Sequence, residues 1–294
     1  MTSKKLLHKL GHLVFVVGSK WFGGSNRAKA EKRGARLTRL VNRLDRKHRE
    51  RTSSNLELVF PEKSQAERDT IARNMVDHFG FVLADFAGAE GRDHTVDAAA
   101  MTCEGFENLE AALALGKGVI MVSAHLGNFE RFAMWFNSRN LLASAVARDA
   151  NDEDVTSDIT KLRQARGIRI MPRGNAAREI LIRLKQGEIV VIMPDQNADD
   201  AFIPFFGKMA GTVLGPAVLS KKTKAPIVPA CILRTGVGTY KVVIRPHISL
   251  NPEETVEEYM TRVNHEIEQM ILLAPEQYLW MHDRWKNARR KGLL

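Results

Sequence analysis

The central and C-terminal parts of the chain alternate short apolar runs with longer amphipathic stretches. The apolar runs have the length of buried strands and cover 119–122, 143–147, 168–171, 189–193, 227–233 and 240–245. Residues with helical spacing lie near 106–115, 154–166, 175–186, 215–224 and 253–273. Strands joined by helices imply right-handed crossovers and parallel pairing. The pattern therefore predicts an α/β fold with a mainly parallel sheet and helices on both of its faces.

The first 90 or so residues show helical spacing and no clear strand. Between 28 and 48, apolar residues recur at helical intervals at Ala30, Leu37, Leu40, Val41 and Leu44. Basic residues fill the rest of that helical surface, which makes it amphipathic. Ser64 and Glu67 have the spacing of a capping box, so a second helix is expected to begin there. A helical N-terminal region thus precedes the α/β fold, and we divide the chain into an N-terminal segment, 1–51, and a domain, 52–294.

The positive charge of the chain lies almost entirely in the N-terminal segment. The 294 residues contain 44 Lys+Arg and 34 Asp+Glu, a net charge of +10, and residues 1–51 alone carry 15 basic and 3 acidic side chains, or +12. The rest of the chain is close to neutral. A basic segment of this kind is typical of nucleic-acid binding, of contact with an anionic membrane, or of a merely solvated helix.

The N-terminal residues favour the membrane among these three. The uncharged run from Leu10 to Ser19 is about half of the ~20 residues that span a bilayer. Lys20, Trp21 and Phe22 follow it where a secretory signal would have a small-residue cleavage site. This combination is typical of a helix that lies in the membrane interface. With only two cysteines, the chain fits a reducing compartment, and we expect a cytosolic protein attached to a membrane.

Ionisable residues follow two of the predicted strands. His125 comes after 119–122 with Glu130 five residues later, and Asp195 comes after 189–193. In sheets of this class, working residues collect at the carboxyl ends of the strands. A neutral imidazole oriented by a carboxylate is a general base for a hydroxyl group, so we expect His125 to be that base and Glu130 to orient it. The alternative is a strand-end histidine bonded to backbone and a glutamate favoured by a helix dipole.

The segment from His125 to Glu130 resembles the block that marks membrane-associated acyltransferases, a histidine and then an acidic residue after four others. Its version here, His-Leu-Gly-Asn-Phe-Glu, resembles the bacterial lipid A biosynthesis acyltransferases. Further blocks follow in that family's order: Arg148-Asp149, Leu162-Arg163, Pro194-Asp195-Gln196, Pro204-Phe205-Phe206-Gly207, Pro275-Glu276-Gln277-Tyr278 and Trp280-Met281-His282-Asp283-Arg284-Trp285-Lys286. The resemblance covers roughly residues 50–290, and blocks in order are more specific than any one of them.

The resemblance implies transfer of a fatty acyl group from an acyl thioester to a hydroxyl group of a glycolipid such as a lipid A precursor. Acyl carrier protein or acyl-CoA would be the donor, and the reaction would occur at the cytoplasmic face of a bacterial inner membrane. The family's Arg and Asp blocks map to Arg163 and Asp195, and Arg148 is a further candidate for contact with the acceptor headgroup. Arg163 would hold an acceptor phosphate or the thioester oxyanion, and Asp195 would orient Arg163 or bind an acceptor hydroxyl. The other interpretation makes them a helix-surface arginine and a turn residue.

The chain gives no indication of a metal or cofactor. The nine histidines lack metal-ligand spacing, and direct attack by an acceptor hydroxyl needs only a base and donors for the oxyanion.

Other functions remain open at this stage. The acceptor can instead be another lipid, such as a phosphoinositide mannoside or an aminolipid. A different class of function is nucleic-acid binding through the N-terminal segment, but the domain behind it is near-neutral and carries no recognition motif. The apolar stretch Phe202–Phe206 is expected to form an exposed loop that lines an acyl groove or contacts the bilayer, or else a turn that packs on the core. The basic and aromatic segment with Trp280 and Trp285 is expected at the membrane interface.

Overall fold

The structure is a computed structural model that describes residues 21–23, 26–88, 100–147, 160, 163–164, 168–172 and 176–294. The helices are α1 (Arg27–Leu44), α2 (Arg46–Val59), α3 (Gln65–Ala87), α4 (Phe106–Leu113), α5 (Phe132–Ser138), α6 (Ala176–Lys185), α7 (Gly215–Thr223), α8 (Val256–Leu273) and α9 (Lys286–Arg290). The strands are β1 (Met101–Glu104), β2 (Val119–Val122), β3 (Ala143–Ala147), β4 (Arg169–Pro172), β5 (Ile189–Ile192), β6 (Ala201–Phe205), β7 (Lys208–Thr212), β8 (Ile227–Gly236) and β9 (Thr239–Ile244). Short 3₁₀ turns cover Phe129–Arg131 and Pro275–Gln277.

Seven strands form one sheet in the order β1-β9-β8-β2-β5-β3-β4. Neighbours pair in parallel except β8 and β9, which are joined by a hairpin and pair antiparallel. The predicted α/β fold with a mainly parallel sheet is therefore confirmed. β2 lies between β5 and β8 near the middle of the sheet, so its carboxyl end is surrounded by other strand ends.

Both faces of the sheet are covered. Ile120 and Val122 of β2 belong to one buried apolar cluster, which includes residues of α8, and Val119 and Met121 belong to a second one beneath α4 and α5. All four side chains are fully buried. A strand with two buried faces reads as a continuous apolar run, which is why β2 and β5 are visible in the sequence.

The periodicity did not predict β1 or the hairpin of β6 and β7. β1 is a four-residue edge strand in which only Met101 is buried. The hairpin covers Phe202–Phe206, where Ile203 and Phe205 are buried in the core, so this stretch packs on the protein rather than forming an exposed apolar loop. Most of the predicted helix at 154–166 lies outside the described residues.

The N-terminal helices pack on one another through small residues. Helix α1 crosses α3 at Gly34 and Gly80, where a Cβ atom on Gly34 would come within 2.0 Å of the Gly80 carbonyl oxygen. The helices approach this closely because neither residue has a side chain. The expected capping box is present, with Ser64 accepting from the Glu67 amide and Glu67 bonded back to the Ser64 amide. Our proposed division after residue 51 falls inside α2.

Helix α1 leaves an apolar stripe uncovered by the described residues. Its buried side consists of Ala30, Glu31, Gly34 and Ala35. The exposed fractions of Leu37, Leu40, Val41 and Leu44 are 39 %, 56 %, 55 % and 82 %. The apolar face predicted from the sequence is thus mostly a different face from the one that packs on α3. Within the described part of the chain, no helix has both the length and the apolar character needed to cross a bilayer.

Candidate active site

His125 and Asp195 meet at the carboxyl ends of adjacent strands. β2 and β5 run in parallel side by side, so the residues that follow them are brought together. His125 Nδ1 lies 2.9 Å from Asp195 Oδ1, and the backbone amide of His125 donates to Asp195 Oδ2 at 3.0 Å. The Asp195 side chain is 2 % exposed and that of His125 is 21 % exposed. A buried carboxylate thus holds Nδ1 of a partly exposed imidazole, and the other ring nitrogen, Nε2, points away from that carboxylate.

The turn after His125 is fixed by backbone contacts on both sides. Gly127 has φ +61°, and a Cβ atom there would lie 1.9 Å from the Ile232 carbonyl oxygen of β8. Its amide donates to the Gln277 carbonyl at 3.0 Å, and the Leu279 amide donates to the His125 carbonyl at 3.1 Å. Only glycine fits so close to β8 in this left-handed conformation. Gly127 is therefore required for the chain to reverse directly behind the imidazole.

A buried polar cluster anchors the same turn to helix α3. Asp85 of α3 accepts from Asn128 at 2.9 Å and from Arg131 Nε and Nη2 at 2.9 and 2.6 Å. The Arg131 guanidinium also lies over the Tyr240 ring, 4.2 Å from its centroid. Arg131 is 1 % exposed, and a buried charge is tolerated when it is paired and hydrogen-bonded in this way. Asp85 thus positions both ends of the Asn128–Arg131 turn.

Glu130 does not orient His125 as expected. Both of its carboxylate oxygens accept from Arg163, at 3.0 Å from Nε and 2.5 Å from Nη2. A bidentate bond to a guanidinium is stronger than a bond to a neutral imidazole, so Arg163 takes this carboxylate. Asp195, which was expected to orient Arg163 or bind the acceptor, holds His125 instead. The four predicted side chains thus form two pairs, His125 with Asp195 and Glu130 with Arg163, and these are not the pairs that the sequence predicted.

The electrostatic setting of the pair favours a charged imidazole. Burial by itself lowers the pKa of His125, but the charge and hydrogen bond of Asp195 and the charge of Glu130 outweigh it and raise that pKa above its ordinary 6.5. Burial by itself raises the pKa of Asp195, but His125 outweighs it and leaves that pKa lowered. A base needs its lone pair, so His125 works above its pKa, and the raised value makes it a stronger proton acceptor there.

A layer of C-terminal residues supports the loop after Asp195. Arg284 donates to the Gln196 carbonyl at 3.2 Å, to the Gly211 carbonyl and to Thr212 Oγ1 at 2.7 Å. His282 Nε2 accepts from the Asn197 amide at 2.9 Å. Arg284, Trp280 and Trp285 are each 1 % exposed, so this segment is core and not a surface for the membrane interface. The segment from Trp280 to Lys286 matches a block of the family that the sequence resembles, but its spacing does not indicate that it contacts the loop after Asp195.

The remaining predicted site residue, Arg148, lies outside the described residues. Among the residues that are described, no group of three or more His, Cys, Asp or Glu side chains is placed to hold a metal ion. The described part of the site thus contains the His125–Asp195 pair and the Glu130–Arg163 ion pair. It also contains the polar side chain of Gln196, whose Nε2 lies 3.3 Å from His125 Nε2.

Residues 13–287 match the model of a family described as bacterial lipid A biosynthesis acyltransferase. The chain belongs to this family. It is 29 % identical to the lipid A biosynthesis palmitoleoyltransferase of Escherichia coli over 79 % of this chain and 77 % of that relative. It is 27 % identical to the lipid A biosynthesis lauroyltransferase of the same organism, over 86 % and 84 %. A phosphatidylinositol mannoside acyltransferase of Mycobacterium tuberculosis is 28 % identical over 46 % and 44 %. The protein is therefore an enzyme that transfers acyl groups.

We expect Glu130 and Arg163 to act as one unit in this acyltransferase. Glu130→Gln removes the charge that Arg163 pairs with and one that faces His125, and Arg163→Gln leaves Glu130 without a partner. Each change should lower kcat/KM by about 10- to 100-fold, and the double variant should be no worse than the poorer single one, a coupling of roughly 1–3 kcal/mol. Steady-state kinetics on the four proteins measure this.

A second ion pair serves as the control for this comparison of single and double variants. Arg245 and Glu266 form an ion pair of similar exposure away from the site, and Arg245→Gln with Glu266→Gln should leave kcat/KM near the wild-type value. Losses at Glu130 and Arg163 that simply multiply would contradict the idea that they form one unit.

Proposed function

We propose that this enzyme transfers a fatty acyl group from acyl carrier protein to a hydroxyl group of a lipid A precursor, with His125 as the general base. The observation that carries the proposal is the buried Asp195 carboxylate on His125 Nδ1, at the end of a central strand in a chain of this family. With a carboxylate facing Nδ1, the neutral imidazole carries its proton on Nδ1 and its lone pair on Nε2, which is the atom that has to accept the hydroxyl proton.

The proposed reaction needs no covalent acyl-enzyme. Nε2 of His125 takes the proton of the acceptor hydroxyl as its oxygen attacks the thioester carbonyl, and the carbonyl electron pair moves onto oxygen. When the tetrahedral intermediate collapses, the C–S bond breaks and the imidazolium returns its proton to the leaving thiolate. Asp195 stabilises the imidazolium between these two steps, which is the role its lowered pKa suits.

Arg163 is proposed to bind an anionic group of the acceptor. Glu130 occupies its Nε and Nη2, and within the described part of the chain Nη1 makes no hydrogen bond. The side chain is 26 % exposed, so Nη1 can donate to a phosphate oxygen. Glu130 then holds the guanidinium plane in place. Arg148, which follows the neighbouring strand β3, stays a candidate for a second contact with the headgroup.

Other acceptors are the alternative to a lipid A precursor. The relative named as a phosphatidylinositol mannoside acyltransferase matches only about half of this chain, whereas the lipid A relatives match most of it. That difference favours the lipid A acceptor.

Mass spectrometry of lipids decides between these acceptors. Cells that lack the protein should accumulate a lipid A precursor one acyl chain short, and the purified enzyme with acyl-loaded carrier protein should restore that chain. The mass difference gives the chain length, and replacing the carrier with acyl-CoA tests the donor. A missing chain on a mannosylated or amino lipid instead would overturn the assignment of the acceptor, and no change in any lipid would overturn the proposed function.

We further propose that helix α1 brings the enzyme to the cytoplasmic face of the inner membrane. Its exposed stripe of Leu37, Leu40, Val41 and Leu44 is bordered by arginines, an arrangement that inserts apolar side chains below anionic headgroups. The enzyme should co-sediment with phosphatidylglycerol vesicles, less with phosphatidylcholine vesicles, and less again in high salt. Binding to duplex DNA that exceeds binding to vesicles would favour nucleic-acid binding instead.

A further inference from the structure

The side chain of Gln196 contacts Nε2 of His125, the nitrogen that we propose as the proton acceptor. Its Nε2 lies 3.3 Å from His125 Nε2, while Asp195 occupies Nδ1 on the other side of the ring. In the neutral imidazole, which is the form that acts as a base, the proton lies on Nδ1 opposite Asp195, so Nε2 is an acceptor and the amide of Gln196 is the donor. An N–H donor therefore stands at the point that an acceptor hydroxyl has to reach.

The backbone around this amide is held rigidly. The Gln196 carbonyl accepts from Arg284, which is almost fully buried and also bonded to Thr212 of β7. The next amide, that of Asn197, donates to His282. The Gln196 side chain itself is only partly buried. The fixed backbone keeps the amide next to His125, so only a small movement of the side chain is needed for it to donate to a group bound there.

We propose that Gln196 is a catalytic residue that donates a hydrogen bond to the thioester oxyanion. This inference rests on the proposed function above. In the free enzyme the amide bonds to Nε2, and the acceptor hydroxyl takes over Nε2 when it binds. The freed N–H then lies within reach of the carbonyl oxygen, which gains the electron pair of the C=O bond as the new C–O bond forms next to Nε2. When the C–S bond breaks, the oxyanion becomes the ester carbonyl and the hydrogen bond weakens.

The chemistry of an amide suits this position. Arg163 already carries Glu130 on two of its nitrogens, and a second cation against Nε2 would oppose protonation of His125. A neutral amide supplies a donor without that charge. It also has a second N–H, so the bond to the oxyanion can form while the side chain stays close to the imidazole.

The test compares Gln196→Leu and Gln196→Glu with the wild-type enzyme in two reactions. One is acyl transfer from acyl carrier protein to the lipid A precursor. The other is hydrolysis of the acyl donor, in which water replaces the acceptor hydroxyl; by the proposed mechanism it would use the same base and the same oxyanion donor, and it needs no lipid. Both variants should lose about 10²–10³-fold in kcat, the effect of removing one oxyanion donor, with the KM for the donor within about threefold. Gln186→Leu, at an exposed turn, is the matched control.

The two reactions separate failure of this inference from failure of the proposed function. If the wild type hydrolyses the donor but does not acylate lipid A precursors, the acceptor is wrong, and the hydrolysis rates of the variants still decide the role of Gln196. If Gln196→Leu keeps the wild-type kcat in hydrolysis, or gains activity because the hydroxyl reaches Nε2 more easily, the oxyanion role is wrong. A rise in KM with unchanged kcat would likewise overturn it in favour of donor binding.

Discussion

Replacing His125 with alanine is expected to lower kcat for acyl transfer by roughly 10²–10⁴-fold, or about 3–5 kcal/mol of barrier. The change removes the Nε2 lone pair that accepts the hydroxyl proton and leaves the hydroxyl to ionise without a base. It leaves the backbone of the turn intact, because the amide still donates to Asp195 and the carbonyl still accepts from Leu279. The variant should therefore fold and bind the acyl donor while turning over slowly.

The measurement is single-turnover acyl transfer by variant and wild type, with the melting temperature of each protein recorded alongside. His265→Ala, at an exposed histidine of α8, controls for loss of any histidine. Added imidazole should restore part of the activity of His125→Ala, since a small base can enter the space of the missing ring. A folded variant with near-normal turnover would contradict the base mechanism.

Much of the fold could be predicted because its strands are buried on both faces. β2 and β5 are continuous apolar runs, and the glycine-terminated helices between strands leave few ways to connect them. β1 was missed for the opposite reason. It is short and at an edge, where alternate residues face solvent and the apolar signal is broken.

The site could be predicted in its members but not in its pairings. Strand-end position identified His125 and Asp195, and motif resemblance identified Arg163. Which carboxylate contacts His125 depends on the order of the strands in the sheet. The sequence does not show that β2 and β5 are neighbours. Glu130 is close to His125 along the chain, but Asp195 is the carboxylate that meets Nδ1, because it follows the neighbouring strand.

The sequence likewise did not show which side of α1 packs on its neighbour α3. The leucines at helical spacing predicted an amphipathic helix, but the side of α1 that packs on α3 is made of Ala30, Gly34 and Ala35, and only Ala30 of these belongs to the predicted apolar face. Small residues carry a weak hydrophobic signal, although they allow the closest helix contact. The helix was therefore predicted correctly, but its apolar positions form a stripe that is exposed in the described structure. This stripe is the surface that we propose contacts lipid.

The second large effect is expected from Asp195→Asn, which keeps the size of the side chain and removes its charge. Asp195 accepts two hydrogen bonds from His125, one from Nδ1 and one from the backbone amide. Asparagine has a single oxygen, so its NH₂ group takes the place of one of the two carboxylate oxygens that face His125. If the oxygen faces the backbone amide, the NH₂ group faces Nδ1 and forces the proton onto Nε2, where it blocks base catalysis. If the oxygen faces Nδ1, the NH₂ group faces the backbone amide of His125, and two N–H donors then point at each other.

Either arrangement should lower kcat by about 10³–10⁴-fold, the scale seen when the acid of a Ser-His-Asp triad is changed in this way. The pH dependence separates this role from a structural one. Asp195 raises the pKa of His125, so activity of the wild type should fall as the pH drops through a midpoint above 6.5, and the residual activity of Asp195→Asn should have its midpoint at lower pH. Asp69→Asn, at an exposed position of α3, is the control. An unchanged midpoint, or a loss of less than about tenfold in a folded variant, would show that Asp195 does not set the state of the base.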